Sequence, residues 1–375
     1  MRVRPRRRLL PALALLVTAA GLLPATPRAD GVATARPAGT PGAPAAAGKA
    51  RPDARGVVLA VHGGAGTALI RGQVDARTEK VYRDGLATAL RAGQRELRRG
   101  GTSVDAVAAA VRVLEDDELF NAGKGAVFNE DAAHELDASI MRGSDLAAGA
   151  VAGVRGVRNP VSAARLVMEK SRHVLLAGEG ADDFAARHGL PMVTQDYYWT
   201  QKRWDALMKA KGRTADGSRG RRPAGAGDDA QAYGTVGAVA LDRRGDLAAA
   251  TSTGGTTGKA VGRVGDSPVV GAGTYARNGT VAASATGHGE VFLRGAATVT
   301  ISNLIEFGGR DVASAAYEVL VRRLPALGGD GGVIALDPKG VFDAPHSSQG
   351  LLHGYLTGDG RIVTKVFLDE SPPRV

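Results

Sequence analysis

The spacing of apolar positions changes period several times along the chain, and each change marks an element. Val57 to Val61 is a short apolar run that ends in His62-Gly63-Gly64, as a buried strand entering a tight loop would. Tyr82, Leu86, Ala89, Gly93 and Leu97 recur at three and four, which predicts one face of a helix. Val104, Val107, Val111 and Leu114 do the same behind Thr102-Ser103, a good N-cap. Asn159-Pro160 offers a cap and a proline at the first helical position, ahead of Ala164, Val167 and Met168. Short strands are expected at 134–141, 147–154 and 173–177, then at 235–242, 246–252, 281–285, 332–337 and 362–368, with helices at 290–307 and 311–324. Strand runs flanked on both sides by helix pairs predict sheet stacked on sheet with helices outside. Between Lys202 and Ala232 the pattern stops. Eight Lys/Arg, four Asp and five Gly there predict a mobile loop, and it runs abruptly into a Val-rich strand at Gly234-Thr235.

Charge alters the picture only at the front. The 375 residues carry a net +10, but residues 1–55 hold ten Lys/Arg and two Asp, a net of +8. The remainder carries 38 basic and 36 acidic residues, a net of +2, so it has no basic stripe for a phosphate backbone and no nucleic-acid partner is expected. Five arginines in the first eight residues precede an apolar run from Leu9 to Leu23, the n-region and h-region of a secretory leader. That run is short for a membrane span, and Arg6-Arg7-Arg8-Leu9-Leu10 also resembles a twin-arginine export signal. The expectation is a leader at 1–29, a Pro/Ala/Gly-rich linker at 30–55 and one domain at 56–375, exported to the periplasm or secreted, with no membrane partner once the leader is removed. The absence of cysteine excludes disulfides, thiolate nucleophiles and Cys-based zinc sites.

Several catalytic patterns nearly form, and each fails at a named residue. His62-Gly63-Gly64-Ala65-Gly66 looks like an esterase oxyanion loop, but His346 stands where the first glycine of G-x-S-x-G would be, before Ser348. Gly254-Gly255-Thr256-Thr257-Gly258-Lys259 resembles a phosphate loop, but Thr253 replaces its first glycine and Ala260 its magnesium-binding hydroxyl. His134-Glu135 could open a zincin helix, but Ala138 takes the place of the second histidine. The seven histidines form no cluster in sequence, and most are expected to be solvated or satisfied locally. Hydroxyls around Thr235 remain. A threonine hydroxyl needs an adjacent base, and cleavage before Thr235 would supply one, its own α-amine, whose pKa of about 7.7–8.0 suits neutral pH.

The segments around Thr235 then carry a resemblance. Gly234 to Asp242, Thr251-Ser252-Thr253-Gly254-Gly255, Gly262 to Pro268 and Thr286-Gly287-His288-Gly289-Glu290 are similar to the plant-type L-asparaginase and isoaspartyl peptidase family of N-terminal nucleophile hydrolases. In the first half, His62 to Gly66, Gly101 to Val107, Phe120-Asn121-Ala122-Gly123 and His134 to Ala138 match as well, so the likeness runs in order through 56–340. It implies an α+β fold, a four-layer αββα sandwich, made as a precursor and self-cleaved into an α subunit at 56–234, with a mobile tail at about 202–234, and a β subunit at 235–375. It implies Thr235 as nucleophile, Thr253 as the hydroxyl that orients it, and Thr286 with Gly287 as the oxyanion hole. Arg263 would take the substrate α-carboxylate and Asp266 its α-ammonium, with Val264, Gly265, His288 and Gly289 lining the same site and Asn121 assisting. No cofactor or catalytic metal is implied; a structural sodium held by backbone carbonyls of Leu114–Lys124 is. The implied substrates are β-aspartyl peptides and L-asparagine, and the implied assembly is a dimer of αβ units. A glycosylasparaginase or an unprocessed, non-catalytic binding homologue are the alternatives; Gly234 and Gly254 favour the asparaginase branch. The segment Pro345 to Gly350 departs from the family pattern, on the side that would select the leaving group.

Overall fold

The computed structural model describes residues 56–66, 69–215 and 234–371. The expected leader and linker, and 216–233 of the expected tail, lie outside the described residues. Eight strands form one sheet in the order β12-β11-β1-β5-β6-β2-β3-β4. They are β1 (Val57–Ala65), β2 (Leu136–Arg142), β3 (Ala148–Val154), β4 (Leu175–Ala177), β5 (Val236–Leu241), β6 (Leu247–Thr253), β11 (Leu351–Thr357) and β12 (Ile362–Lys365). A second sheet has the order β10-β9-β8-β7, from β7 (Thr274–Ala276), β8 (Ala282–Gly287), β9 (Gly331–Leu336) and β10 (Phe342–Asp343).

Three apolar clusters follow from the period-two alternation of these strands. Leu59, Val61, Val236, Ala238, Ala248 and Ala250 face one way and pack with α1 (Ala76–Arg98), α2 (Ser103–Glu115), α3 (Pro160–Lys170) and α4 (Gly178–Arg187). Ala283, Ala285, Val333 and Ala335 of the smaller sheet pack with α6 (Gly289–Gly295), α7 (Ala297–Glu306), α8 (Val312–Tyr317) and α9 (Leu324–Ala326). The alternate residues, among them Ala60, Met141, Val239, Ala249, Ala282 and Ile334, join the two sheets in a third cluster. Among the described residues no helix is long and apolar enough to cross a membrane.

The helix starts bear out the local signals in part. Thr102 caps α2 in a reciprocal box: its hydroxyl accepts from Asp105 N at 3.0 Å while Asp105 accepts from Thr102 N at 2.8 Å. Asn159 makes no capping bond; Glu115 Oε1, from the end of α2, accepts from Val161 N at 2.9 Å and does that work for α3. The expected helix at 290–307 is two helices, broken at Ala296 with φ of 43°. That at 311–324 passes through a π-helical stretch at Glu318–Arg323.

The expected mobile loop is corrected over its first half. Residues Gln201–Ala215 form a helix, α5, because Lys, Arg, Ala, Leu and Met are strong helix formers whatever their polarity. Its apolar and stem-bearing residues do enter the core: Leu207 is fully buried, Arg203 donates through Nε to Gly125 O at 2.8 Å, and Trp204 meets Phe128 edge to face. β7, β10, β11 and α4 are elements the periodicity did not single out.

Candidate active site

The space between the sheets changes character along the strands. At one end lie the apolar residues of the third cluster. Toward the other end, the same inward positions become hydroxyls, and then the candidate site. Antiparallel register sets this gradient: Gly237 of β5 pairs Thr251 of β6 and His62 of β1, while Thr253 pairs Asp137 of β2. Two residues beyond Gly237 toward the start of β5 stands Thr235, and two beyond Thr251 stands Thr253, on the same face.

Thr235 and Thr253 are brought together. Thr235 Oγ1 donates to Thr253 Oγ1 at 3.1 Å, and Thr253 Oγ1 also accepts from Gly255 N at 3.0 Å. Both threonines are buried. Thr286, in β8 of the facing sheet, accepts at Oγ1 from Ala65 N at 3.0 Å. A hydroxyl that accepts there still has its own proton to donate. Gly287 follows in an extended turn at φ of 147°, and a Cβ there would press on Asp330 O and Gly331 Cα at 2.5 Å.

Asn121 braces the loops around this pair. Its Nδ2 donates to Gly255 O at 2.7 Å and its Oδ1 accepts from Val127 N at 2.9 Å. Its backbone carbonyl accepts from Gly254 N at 3.2 Å, and its Cβ would lie 3.2 Å from a Cβ on Gly234. The residue therefore lies against Gly234 and against the Gly254-Gly255 turn that follows Thr253.

Arg263 and Asp266 converge on Gly289. A Cβ at Gly289 would lie 2.8 Å from Arg263 Nη2 and 3.0 Å from Asp266 Oδ1, and one at Gly265 would lie 2.9 Å from Arg263 Nη1. Glycine at both places keeps the guanidinium open. One flank of its fork is taken: Nε and Nη2 each donate to Glu290 at 3.0 Å, a bidentate pair whose carboxylate is 63% exposed. Nη1 faces Gly255 and Gly265 instead. Asp266 is almost fully buried, and its Oδ2 has no hydrogen-bond partner. Burial pushes its carboxyl up to about 7 against the pull of Arg263. A buried carboxylate oxygen left without a donor is costly, and here it stands beside a guanidinium. Val264 is exposed, and His288 turns its Nδ1 to Asp330 Oδ1 at 2.8 Å.

Three residues had no assigned role in the sequence. His62 is not satisfied locally: it is fully buried, with its ring against the backbone of Thr235 and its Nε2 2.9 Å from Ser284 Oγ. Asp137 lies across from Thr253, with Oδ1 accepting from Gly153 N at 2.8 Å and Oδ2 without a partner. Lys259 buries its ammonium against Glu135 O at 2.7 Å, and burial lowers its pKa. Asp137 and Lys259 stood in motifs already singled out, His134 to Ala138 and Gly254 to Lys259. For His62 no partner could be read from the sequence, since Ser284 lies 222 residues away.

Comparison with known proteins agrees with this arrangement. Residues 55–366 match the model of the asparaginase family. The isoaspartyl peptidase of Escherichia coli is 49% identical over 299 residues, covering 80% of this chain and 92% of that protein. The isoaspartyl peptidase of Salmonella typhimurium is 50% identical over 299 residues, covering 80% and 94%. The isoaspartyl peptidase/L-asparaginase of Mus musculus is 44% identical over 298 residues, covering 79% and 86%. With the match running from the first strand to the last and the threonines meeting between the sheets, the chain belongs to the asparaginase family.

Proposed function

We propose that this protein is a self-processing threonine hydrolase that cleaves β-aspartyl peptides and L-asparagine, the activities for which its relatives are named. The observation that carries the reading is the Thr235–Thr253 hydroxyl pair, buried at the start of β5 immediately after Gly234. In maturation, Thr235 Oγ1 attacks the Gly234 carbonyl carbon and the Gly234–Thr235 C–N bond breaks. Water then hydrolyses the resulting ester, releasing the Gly234 carboxylate and the α-amine of Thr235. In turnover that amine takes the hydroxyl proton as Oγ1 attacks the side-chain carbonyl of the substrate. The Thr286 hydroxyl and the Gly287 amide receive the oxyanion, the amine returns the proton to the departing nitrogen, and water resolves the aspartyl ester. Arg263, through Nη1, holds the α-carboxylate, and Asp266 holds the α-ammonium.

The three apolar clusters support a four-layer αββα arrangement for this machinery. Gly254 supports the asparaginase branch, since a Cβ there would lie 2.7 Å from both Ala126 Cβ and Asn121 Oδ1 and a larger side chain has no room. The structural sodium belongs to the same proposal: backbone carbonyls of the Leu114–Lys124 loop, hard donors, would hold a hard cation. When bound it would supply charge that orders the loop carrying Asn121. Export by the leader and pairing of two αβ units complete the proposal.

Intact-mass analysis with N-terminal sequencing tests it. A fragment beginning at Thr235 is expected from the wild type, and Thr235→Ala should remain one chain with no hydrolysis. Arg263→Ala should still self-cleave while KM rises, because the peptide bond before Thr235 does not use the carboxylate clamp. A wild-type chain that stays whole and inert would overturn the reading in favour of a binding homologue.

A further inference from the structure

Directly beneath the candidate site lies a second row of polar side chains to which that chemistry assigns nothing. Three members sit two positions from a site residue on the same strand, Thr251 from Thr253, Ser284 from Thr286 and Ser139 from Asp137, and Thr274 of β7 joins them. His62 lies over Gly237, two positions from Thr235. All are buried. They form one continuous chain across both sheets. His62 Nε2 is 2.9 Å from Ser284 Oγ, which is 2.7 Å from Thr251 Oγ1. Thr251 Oγ1 is 2.5 Å from Thr274 Oγ1, which is 2.8 Å from Ser139 Oγ. Ser139 Oγ ends the chain 2.6 Å from the carbonyl oxygen of Ser267, the neighbour of Asp266.

Ser139 Oγ donates to Thr274 Oγ1 and to the Ser267 carbonyl, and Thr274 Oγ1 donates to Thr251 Oγ1. Thr251 and Ser284 share a proton between their hydroxyls, and Ser284 Oγ meets the ring of His62. Burial holds the imidazole down to about 3, so it is neutral and the row carries no charge.

We propose that this row is a hydrogen-bonded floor that positions the Thr235–Thr253 pair against the Asp266 loop. The proposal rests on the hydrolase reading for its kinetic consequence and on the continuity of the row for its reach. The strands bearing Thr235, Thr253 and Thr286 are tied together one step below the reacting atoms. The row's side chains are positioning residues; none reaches substrate.

The test has two arms. Long-range 1H–15N correlation on histidine-labelled protein, with His62 assigned by its loss in His62→Gln, should show the His62 ring nitrogens shifted in Thr251→Val, two hydrogen bonds away. In the same variant, which keeps the shape and removes the hydroxyl, kcat should fall about tenfold or more while KM holds within about twofold, and Thr251→Ser should restore kcat. Unmoved His62 signals, or a Thr251→Val protein with wild-type kcat, would overturn the floor. If Thr251→Val does not fold, Ser139→Ala at the carbonyl end is read by the same criteria. Shifted His62 signals with no hydrolysis of a β-aspartyl dipeptide by the wild type would overturn the proposed activity; unmoved signals in a fully active enzyme would overturn the floor alone.

Discussion

Asp266 links burial to a pH profile. Its carboxyl is held near 7 because it is desolvated, so in the free protein it gains a proton as pH falls through neutrality. Only the carboxylate can pair an α-ammonium, and the Thr235 α-amine must also be unprotonated, so kcat/KM should fall by about a hundredfold per unit well below pH ~7. A profile measured from pH 5 to 8 whose fall never exceeds about tenfold per unit would remove Asp266 from the binding role. Gly237 makes a steric statement at the same scale. A Cβ there would collide with Ser284 Oγ and His62 Nε2 and lie 2.9 Å from Ala250 O. Gly237→Ala should lower stability by about 1–3 kcal/mol, read by urea unfolding, and slow self-cleavage, because overpacking must displace that hydrogen bond. The threonines, Arg263 and Asp266 were legible in the sequence because they sit in short motifs around one junction. His62 and the reason for Gly237 were not, because both depend on Ser284, which lies on another sheet.

Glu115 shows how one element holds another. From the end of α2 its Oε1 accepts from Val161 N of α3 and, at 2.6 Å, from Ser252 Oγ of β6, the residue beside Thr253. Burial raises its carboxyl to about 8 from an ordinary value of 4.5. With the folded value raised, the folded state binds the proton more tightly. The stability this confers is complete below about 4.5 and is lost as pH climbs through about 8. Glu115→Gln keeps the acceptor and removes the titration, so its melting temperature should exceed that of the wild type at pH 9 by several degrees more than at pH 5. Equal differences at the two pH values would refute the assignment. Element prediction from sequence did well where a face was apolar and periodic, as in α1 and α2. It failed for α5, where charged residues with long aliphatic stems form the helix and Arg203 buries its stem and head together.

For the whole molecule, sheet order is what matters. With the proposed cut before Thr235, β1 to β4 belong to one fragment and β5 to β12 to the other. In the larger sheet the fragments then alternate, meeting at the β11–β1, β1–β5 and β6–β2 seams. The cut protein should elute as one species and melt in one transition, whereas fragments 56–234 and 235–375 made separately and mixed should yield no hydrolysis. Recovery of activity from that mixture would show that the seams can form without the intact chain. The sequence foretold sheets with helices outside, yet it could not foretell this order, since β11 pairs β1 across nearly the whole chain and its short Gly-containing run gave no strong period.

That alternation also fixes a history. In the larger sheet each fragment is threaded through the other's hydrogen-bonded ladder, so neither can complete that sheet alone, and the proposed route to the woven state is to fold first and be severed afterwards. The scission would then be a one-way step: a cleaved molecule that unfolds has lost the covalent tether that once brought its strands into turn. Its working life is set by how slowly it opens, not by how often it could refold.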